Sequence, residues 1–198
     1  MNVHIRVLEA SDAEAYRHVR LQALRTDPEA FGSTYEKEAG VPPESIIERI
    51  RPAQNRFTLG AFLDNGALAA IVTFVRETGT KTEHKGNVFG MYVSPESRGR
   101  GAGKAIMTEL LRMAKKLEGV EQINLTVVSD NVPAKRLYES LGFKRFGVER
   151  NALKYGGRYF DEDWMAYRLE PLTEEEIFDH HQHGRDSRSH QRPGGNPF

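Results

Sequence analysis

The stretch Arg98-Gly99-Arg100-Gly101-Ala102-Gly103-Lys104 gathers glycines and cations immediately ahead of a segment with helical periodicity. A helix that begins inside a glycine turn presents unpaired main-chain N–H groups and the positive end of its dipole, and the missing Cβ atoms let an anion come close. Arg98, Arg100 and Lys104 add formal positive charge. The chemistry predicted is capture of a phosphate or pyrophosphate. A Walker loop would need glycine at Arg98 and Ser or Thr at Ala105, so that motif is excluded. The dinucleotide fingerprint is excluded as well, because it needs glycine at Lys104 if it starts at Gly99, or at Ile106 if it starts at Gly101.

The elements that must hold this loop follow from the hydrophobic pattern. Residues 88–93 form a β-rich apolar run, Ser94-Pro95-Glu96 breaks it, and Ile106, Met107, Leu110, Leu111, Ala114 and Leu117 then recur at helical spacing, with Gly119 as the expected C-terminal cap. Residues 122–128 alternate as a further strand, so strand, helix and strand make a parallel crossover. Upstream, residues 3–8 predict a strand, and Ser11-Asp12-Ala13-Glu14 predicts a capping box for a helix reaching about Arg25. A loop carrying Phe31, Tyr35 and Glu36 follows, then a short helix over 43–50 after Pro42-Pro43. Residues 57–63 and 67–75 flank Asp64-Asn65-Gly66, whose Asn-Gly pair accepts the positive φ of a tight hairpin. A polar segment with Glu83 and His84 precedes the central strand. Downstream, residues 131–142 predict a short helix capped by Asp130 or Asn131 and stopped by Gly142, and a second hairpin spans 143–153 and 159–169.

At 198 residues and 38% hydrophobic content, the chain is sized for one domain with an ordinary core. Lys plus Arg equals Asp plus Glu at 28 each, so no global field favours nucleic acid or an anionic membrane. The chain has no cysteine, which excludes disulfides and thiolate chemistry and agrees with a cytoplasmic setting. No apolar run approaches the roughly 18 residues of a membrane span, and a soluble, unexported protein is expected. The folded domain is expected over residues 1–170. Residues 171–198 read as a polar, disordered tail, and its His180, His181, His183 and His190 are expected to bind no metal.

The loop Arg98-x-x-Gly101-x-Gly103 resembles the acyl-CoA loop of the GNAT N-acetyltransferase superfamily, whose pattern is Arg/Gln-x-x-Gly-x-Gly/Ala. The block Asn131-x-x-Ala134-x-x-Leu137-Tyr138-Glu139-x-x-Gly142-Phe143 closely resembles the second block of the same enzymes, at the expected distance. The element order matches as well, over residues 3–170. The resemblance implies an α+β, three-layer fold: a mixed, mostly antiparallel sheet of about seven strands flanked by helices, with the central strand splayed from the next one. Acyl-CoA would wedge into that splay. Main-chain groups of Met91, Tyr92 and Val93 would pair with the pantetheine arm, and N–H groups from Arg98 through Gly99, Arg100, Gly101, Ala102, Gly103 and Lys104 would take the pyrophosphate. Asn131 would contact the pantetheine or phosphate region.

The resemblance assigns chemistry to Tyr138, whose hydroxyl would return a proton to the departing CoA sulfur. A phenol with a pKa near 10 matches a leaving thiolate in basicity. A neutral amine would attack the thioester of acetyl-CoA, the co-substrate, with a strand N–H near residues 91–93 stabilising the oxyanion. No metal is required. For the base, Glu83, His84, Glu36 and the run Asp161-Glu162-Asp163 stay open beside water. Phe31, Tyr35, Glu36 and Glu83 are the expected acceptor-side residues. The implied function is acetylation of a small-molecule primary amine. A protein N-terminal or lysine acetyltransferase, and a non-catalytic acyl-CoA sensor, are the alternatives, and a homodimer is compatible with each.

Overall fold

The protein is described by a computed structural model covering residues 3–169. The expected tail from residue 171 onward, with its histidines, lies outside the described residues. Seven strands form one open sheet: β1 (His4–Val7), β2 (Arg56–Phe62), β3 (Leu68–Arg76), β4 (Lys85–Val93), β5 (Gln122–Val128), β6 (Lys144–Tyr155) and β7 (Arg158–Arg168). Their spatial order is β1-β2-β3-β4-β5-β7-β6, antiparallel throughout except for the parallel β4–β5 pair. The helices are α1 (Ala13–Thr26), α2 (Tyr35–Ala39), α3 (Pro43–Ile50), α4 (Ala102–Lys115) and α5 (Val132–Ser140).

Period-two alternation divides the sheet between two cores. Leu59, Ala61, Val72, Phe74, Val88, Ile123, Leu125 and Val127 face the side covered by α4 and α5, where Ile106, Met107, Leu110 and Tyr138 meet them. Ile71 and Tyr92 face the other side and pack with Tyr16 and Val19 of α1 and Ile46 and Ile50 of α3. Burying one such large side chain is worth roughly 1.5–3 kcal/mol, so these stripes fix the register of each strand. The contact is tightest at Gly86, where a Cβ would stand 2.2 Å from the Phe74 ring. The Asn65-Gly66 turn closes as expected: Gly66 has φ +82, and Leu63 N–H bonds Ala67 O at 2.9 Å.

Three local expectations are corrected. Ser11 is not the cap of the first helix; Asp12 instead accepts the Glu9 N–H at 2.8 Å and is clamped by Arg6. Tyr35 and Glu36 are not in an open loop, because the Thr34 side chain accepts the Lys37 N–H at 3.3 Å and starts α2 there. Gly119, at φ +78, sits in the turn into β5, while Lys116 ends α4.

Candidate active site

Only Lys85↔Gln122, Gly86↔Ile123 and Asn87↔Asn124 pair β4 with β5; beyond them the two strands part. The cause lies in β4. Between the pairs Ile71↔Tyr92 and Thr73↔Phe89, β4 has Gly90 and Met91 where β3 has Val72 alone. Gly90 adopts φ +60, a conformation open to glycine, and the resulting bulge turns the outer edge of β4 away from β5. The main chain of residues 88–93 is thus bonded to β3 on one side and open on the other.

A cavity of about 590 Å³ occupies this opening. Met91, Tyr92 and Val93 form one wall, Asn131, Leu137 and Tyr138 the opposite one, and Arg98, Gly99, Gly101, Gly103 and Lys104 the end. The glycines serve different purposes. Gly99 and Gly101 need their positive φ, +70 and +88, whereas a Cβ at Gly103 would lie 3.3 Å from Leu137 Cδ2 and 3.4 Å from Val93 Cγ2. The first α4 bond runs from Ala105 N–H to Gly101 O at 2.9 Å, so Ala102, Gly103 and Lys104 lie before it and have no intrahelical acceptor. Their N–H groups suit a pyrophosphate.

Of the expected cations, Arg98 is committed elsewhere. Its guanidinium bonds Asp27 Oδ2 at 2.6 Å, donates to Val93 O at 3.0 Å and lies over the Tyr92 ring. The Asp27 interaction raises its pKa further. Arg98 therefore anchors the loop to the end of α1, and the groups left facing the cavity at this end are the main chain and Lys104. Arg100 is exposed and, like Ala102, is not part of the cavity wall.

On the far wall, the Asn131 side chain accepts the Ala134 N–H at 3.2 Å and so starts α5. Asp163, 1% exposed, holds this segment in place, accepting from Ser129 Oγ at 2.7 Å and pairing with Lys135 Nζ at 2.7 Å. Burial pushes the Asp163 carboxyl up, but the bonds from Lys135 and Ser129 outweigh it and leave the pKa lowered. Nearly two turns into α5, Tyr138 packs edge-on against Phe143 at 5.9 Å. Its hydroxyl has no hydrogen-bond partner among the described residues, and burial raises its pKa above the ordinary 10, which keeps it protonated while making it a weaker acid than the expected match to the thiolate.

The acceptor-side expectations divide. Phe31 lines the cavity and meets Tyr92 edge-on at 6.3 Å. Tyr35 instead accepts a hydrogen bond from Arg25, and Glu36 is exposed on α2; neither lines the cavity. Glu83 is exposed in the turn before β4, at the end where β4 and β5 are closed together, and the nine-residue strand separates it from the glycine loop. The acidic run separates too. Asp161 binds Arg150 and the Asn151 N–H, Asp163 faces α5, and Glu162 points to the α1 side, accepting from Thr126 Oγ1 at 3.3 Å. Burial raises the Glu162 pKa. Asp27, Thr126 and Glu149 carry no local sequence signal, because each pairs with a residue distant in the chain: Arg98, Glu162 and Trp164.

These features make a cleft with an unpaired strand edge along one wall and helix N–H groups at its end. Residues 17–143 match the profile of the GNAT acetyltransferase family. The chain belongs to that family and is an acetyl-CoA-dependent N-acetyltransferase by class. It is 29% identical to an L-amino acid N-acetyltransferase of Escherichia coli over 82% of this chain and 95% of the relative. It is 30% identical to a mycothiol acetyltransferase of Actinosynnema mirum, over 64% of this chain but 41% of that longer protein. In fold it is similar to a GNAT-family acetyltransferase of Streptococcus pneumoniae, with TM-score 0.75 and 24% identity over 85% of this chain and 100% of the other. It also matches a phosphinothricin acetyltransferase of Sinorhizobium meliloti solved with acetyl-CoA, with TM-score 0.74 and 21% identity over 88% and 95% of the two chains. No helix among the described residues is long and apolar enough to cross a membrane.

Proposed function

We propose that this protein transfers the acetyl group of acetyl-CoA to a primary amine of a small molecule in the cytoplasm. The observation that carries this is the opening of β4 from β5 beyond Asn87↔Asn124, with the start of α4 at one end and Tyr138 on its wall. The free edge of β4 at Met91, Tyr92 and Val93 pairs with the pantetheine amides as a missing strand would, and a strand N–H there stabilises the oxyanion. The N–H groups of Ala102, Gly103 and Lys104 hold the diphosphate, and the Asn131 amide borders the arm between them. Tyr138, kept protonated by burial, gives its proton to the thiolate as it leaves. The relatives named above support a small acceptor, since one that is matched over 95% of its length is named for L-amino acids.

The test is thiol release from acetyl-CoA with polyamines, aminoglycosides, amino acids and N-terminal peptides. Small amines are expected to be turned over and peptides not; the reverse preference overturns the acceptor class. Tyr138→Phe is expected to lower kcat by roughly 100-fold with acetyl-CoA affinity unchanged, the scale of general acid catalysis. Undiminished turnover removes Tyr138 from the chemistry.

A further inference from the structure

The opening between β4 and β5 passes through the sheet and has a mouth on each face. Tyr138 stands on the α4 face, within the core cluster that includes Ile123, Leu125, Val127 and Met165. Thr126 alternates with Leu125 and Val127, and Glu162 with Asp163, so both belong to the opposite face. Asn124 is the last β5 residue paired with β4, and Thr126 lies two positions further on. The Glu162 carboxylate bonded to Thr126 therefore stands on this face beside the unpaired part of β5, next to the cavity and outside its lining. The turn Pro28–Ala30, which leads to Phe31, approaches β5 and β6 on this side.

We propose that Glu162 receives the ammonium group of the acceptor at this second mouth and takes the proton that must leave before the amine can attack. The assignment rests on the acetyl-transfer reading above.

Three observations carry it. First, Glu162 differs from its neighbours in having no cation: Asp161 is held by Arg150 and Asp163 by Lys135, while Glu162 has only the Thr126 hydroxyl among the described residues. Second, Glu149 of β6 stands opposite Glu162 in register. Like charges at directly opposed strand positions are unfavourable, and an ammonium arriving between them removes the conflict. Glu149 is kept in place by Trp164 Nε1 at 3.2 Å. Third, exposed aromatic rings lie on the neighbouring strands, with Trp164 bonded to Glu149 and Phe146 packed on Trp164. Phe89 is 55% exposed, Phe146 62% and Trp164 36%, which provides apolar and cation–π contact for the body of an amine. Burial, with Glu149 adding to it and Thr126 opposing, lifts the Glu162 carboxyl above its usual range and makes it a better base.

The step balances. The first ammonium proton passes to Glu162. The neutral nitrogen forms its bond to the acetyl carbon as the carbon–sulfur bond breaks, and the sulfur takes the Tyr138 proton. The second nitrogen proton returns to Tyr138 through water, and Glu162 loses its proton to solvent, so one proton is released per turnover.

The test compares wild type, Glu162→Gln and Glu149→Gln across pH, using the best acceptor among spermidine, phenylethylamine, L-methionine and L-phenylalanine amide. Glu162→Gln is expected to lose roughly 100-fold or more in kcat/KM for the amine at pH 7, within the range of general base catalysis. That loss should shrink as pH rises toward the pKa of the amine, which then arrives neutral, while acetyl-CoA KM and Tm stay unchanged. Glu149→Gln should shift the acid limb to lower pH, because it removes a charge that raises Glu162. A Glu162→Gln enzyme with the wild-type rate and profile overturns the proposal, and so does a loss equal at every pH. A wild type that binds acetyl-CoA but releases no thiol with any of the four amines is a different result, and it overturns the acetyl-transfer reading itself.

Discussion

At the α4 mouth of the slot, two unbroken stretches, residues 98–104 and 131–138, supply the glycine turn, the helix start, the Asn131 cap and the Tyr138 hydroxyl. On the α1 face, Phe31, Phe89, Thr126, Glu149 and Glu162 come from separate parts of the chain, and the proposed ammonium site depends on the assembled sheet to bring them to one side. The contrast follows from the ligands. A diphosphate is gripped by main-chain donors, whose direction is set by the φ of a few adjacent residues. An ammonium is gripped by side chains, whose convergence is set by strand order and register.

The strongest way to break this comparison is at the contiguous mouth. Gly103→Leu forces a side chain into the contact among α4, Val93 and Leu137. Acetyl-CoA affinity measured calorimetrically should fall about 100-fold, equivalent to about 2.7 kcal/mol. Wild-type affinity would mean that the helix start does not hold the diphosphate. At the joint between the two mouths the loss is one of stability and leaves the ligand groups in place. Asp163→Asn removes a buried charge from Lys135 and Ser129, and should cost roughly 2–4 kcal/mol of stability in denaturant titrations. Because the folded carboxyl is lowered, its contribution is full above its ordinary pKa of about 3.9 and is lost as pH falls through the lowered value. The stability gap between wild type and variant should accordingly hold from neutrality to about pH 4 and close below it. The smallest effect sharpens the picture: Glu83→Gln and Glu36→Gln, both away from the cavity, should leave the acceptor KM within about twofold of wild type, as exposed substitutions do.

The same contrast explains what could be read from the chain. Strand and helix periods carry the fold, so the hairpin at Asn65-Gly66, the crossover through α4 and the Asn131-capped helix all stand where their patterns put them. The glycine loop and Tyr138 were legible because their geometry is local. Arg98 was visible as a charge but not as a clasp, since its partner Asp27 lies 71 residues away. Glu83 suggested an acceptor role by its place before the central strand, but the end of β4 that it adjoins is the closed one. Glu162 could not be told from Asp161 and Asp163 until burial and register gave each a different neighbour. A run of like residues on a strand points alternately to opposite faces, and composition alone does not say which face holds the reacting atoms.

The bulge at Gly90 and Met91 bears on how the protein meets its first substrate. β3 and β4 are of equal length, but between two paired positions β4 spends one residue more than β3, and that excess makes it curl. The aperture is therefore built into the pairing of the two strands. A thioester entering it completes an existing edge without prying two strands apart, and the attraction between them is free to aim the acetyl carbon.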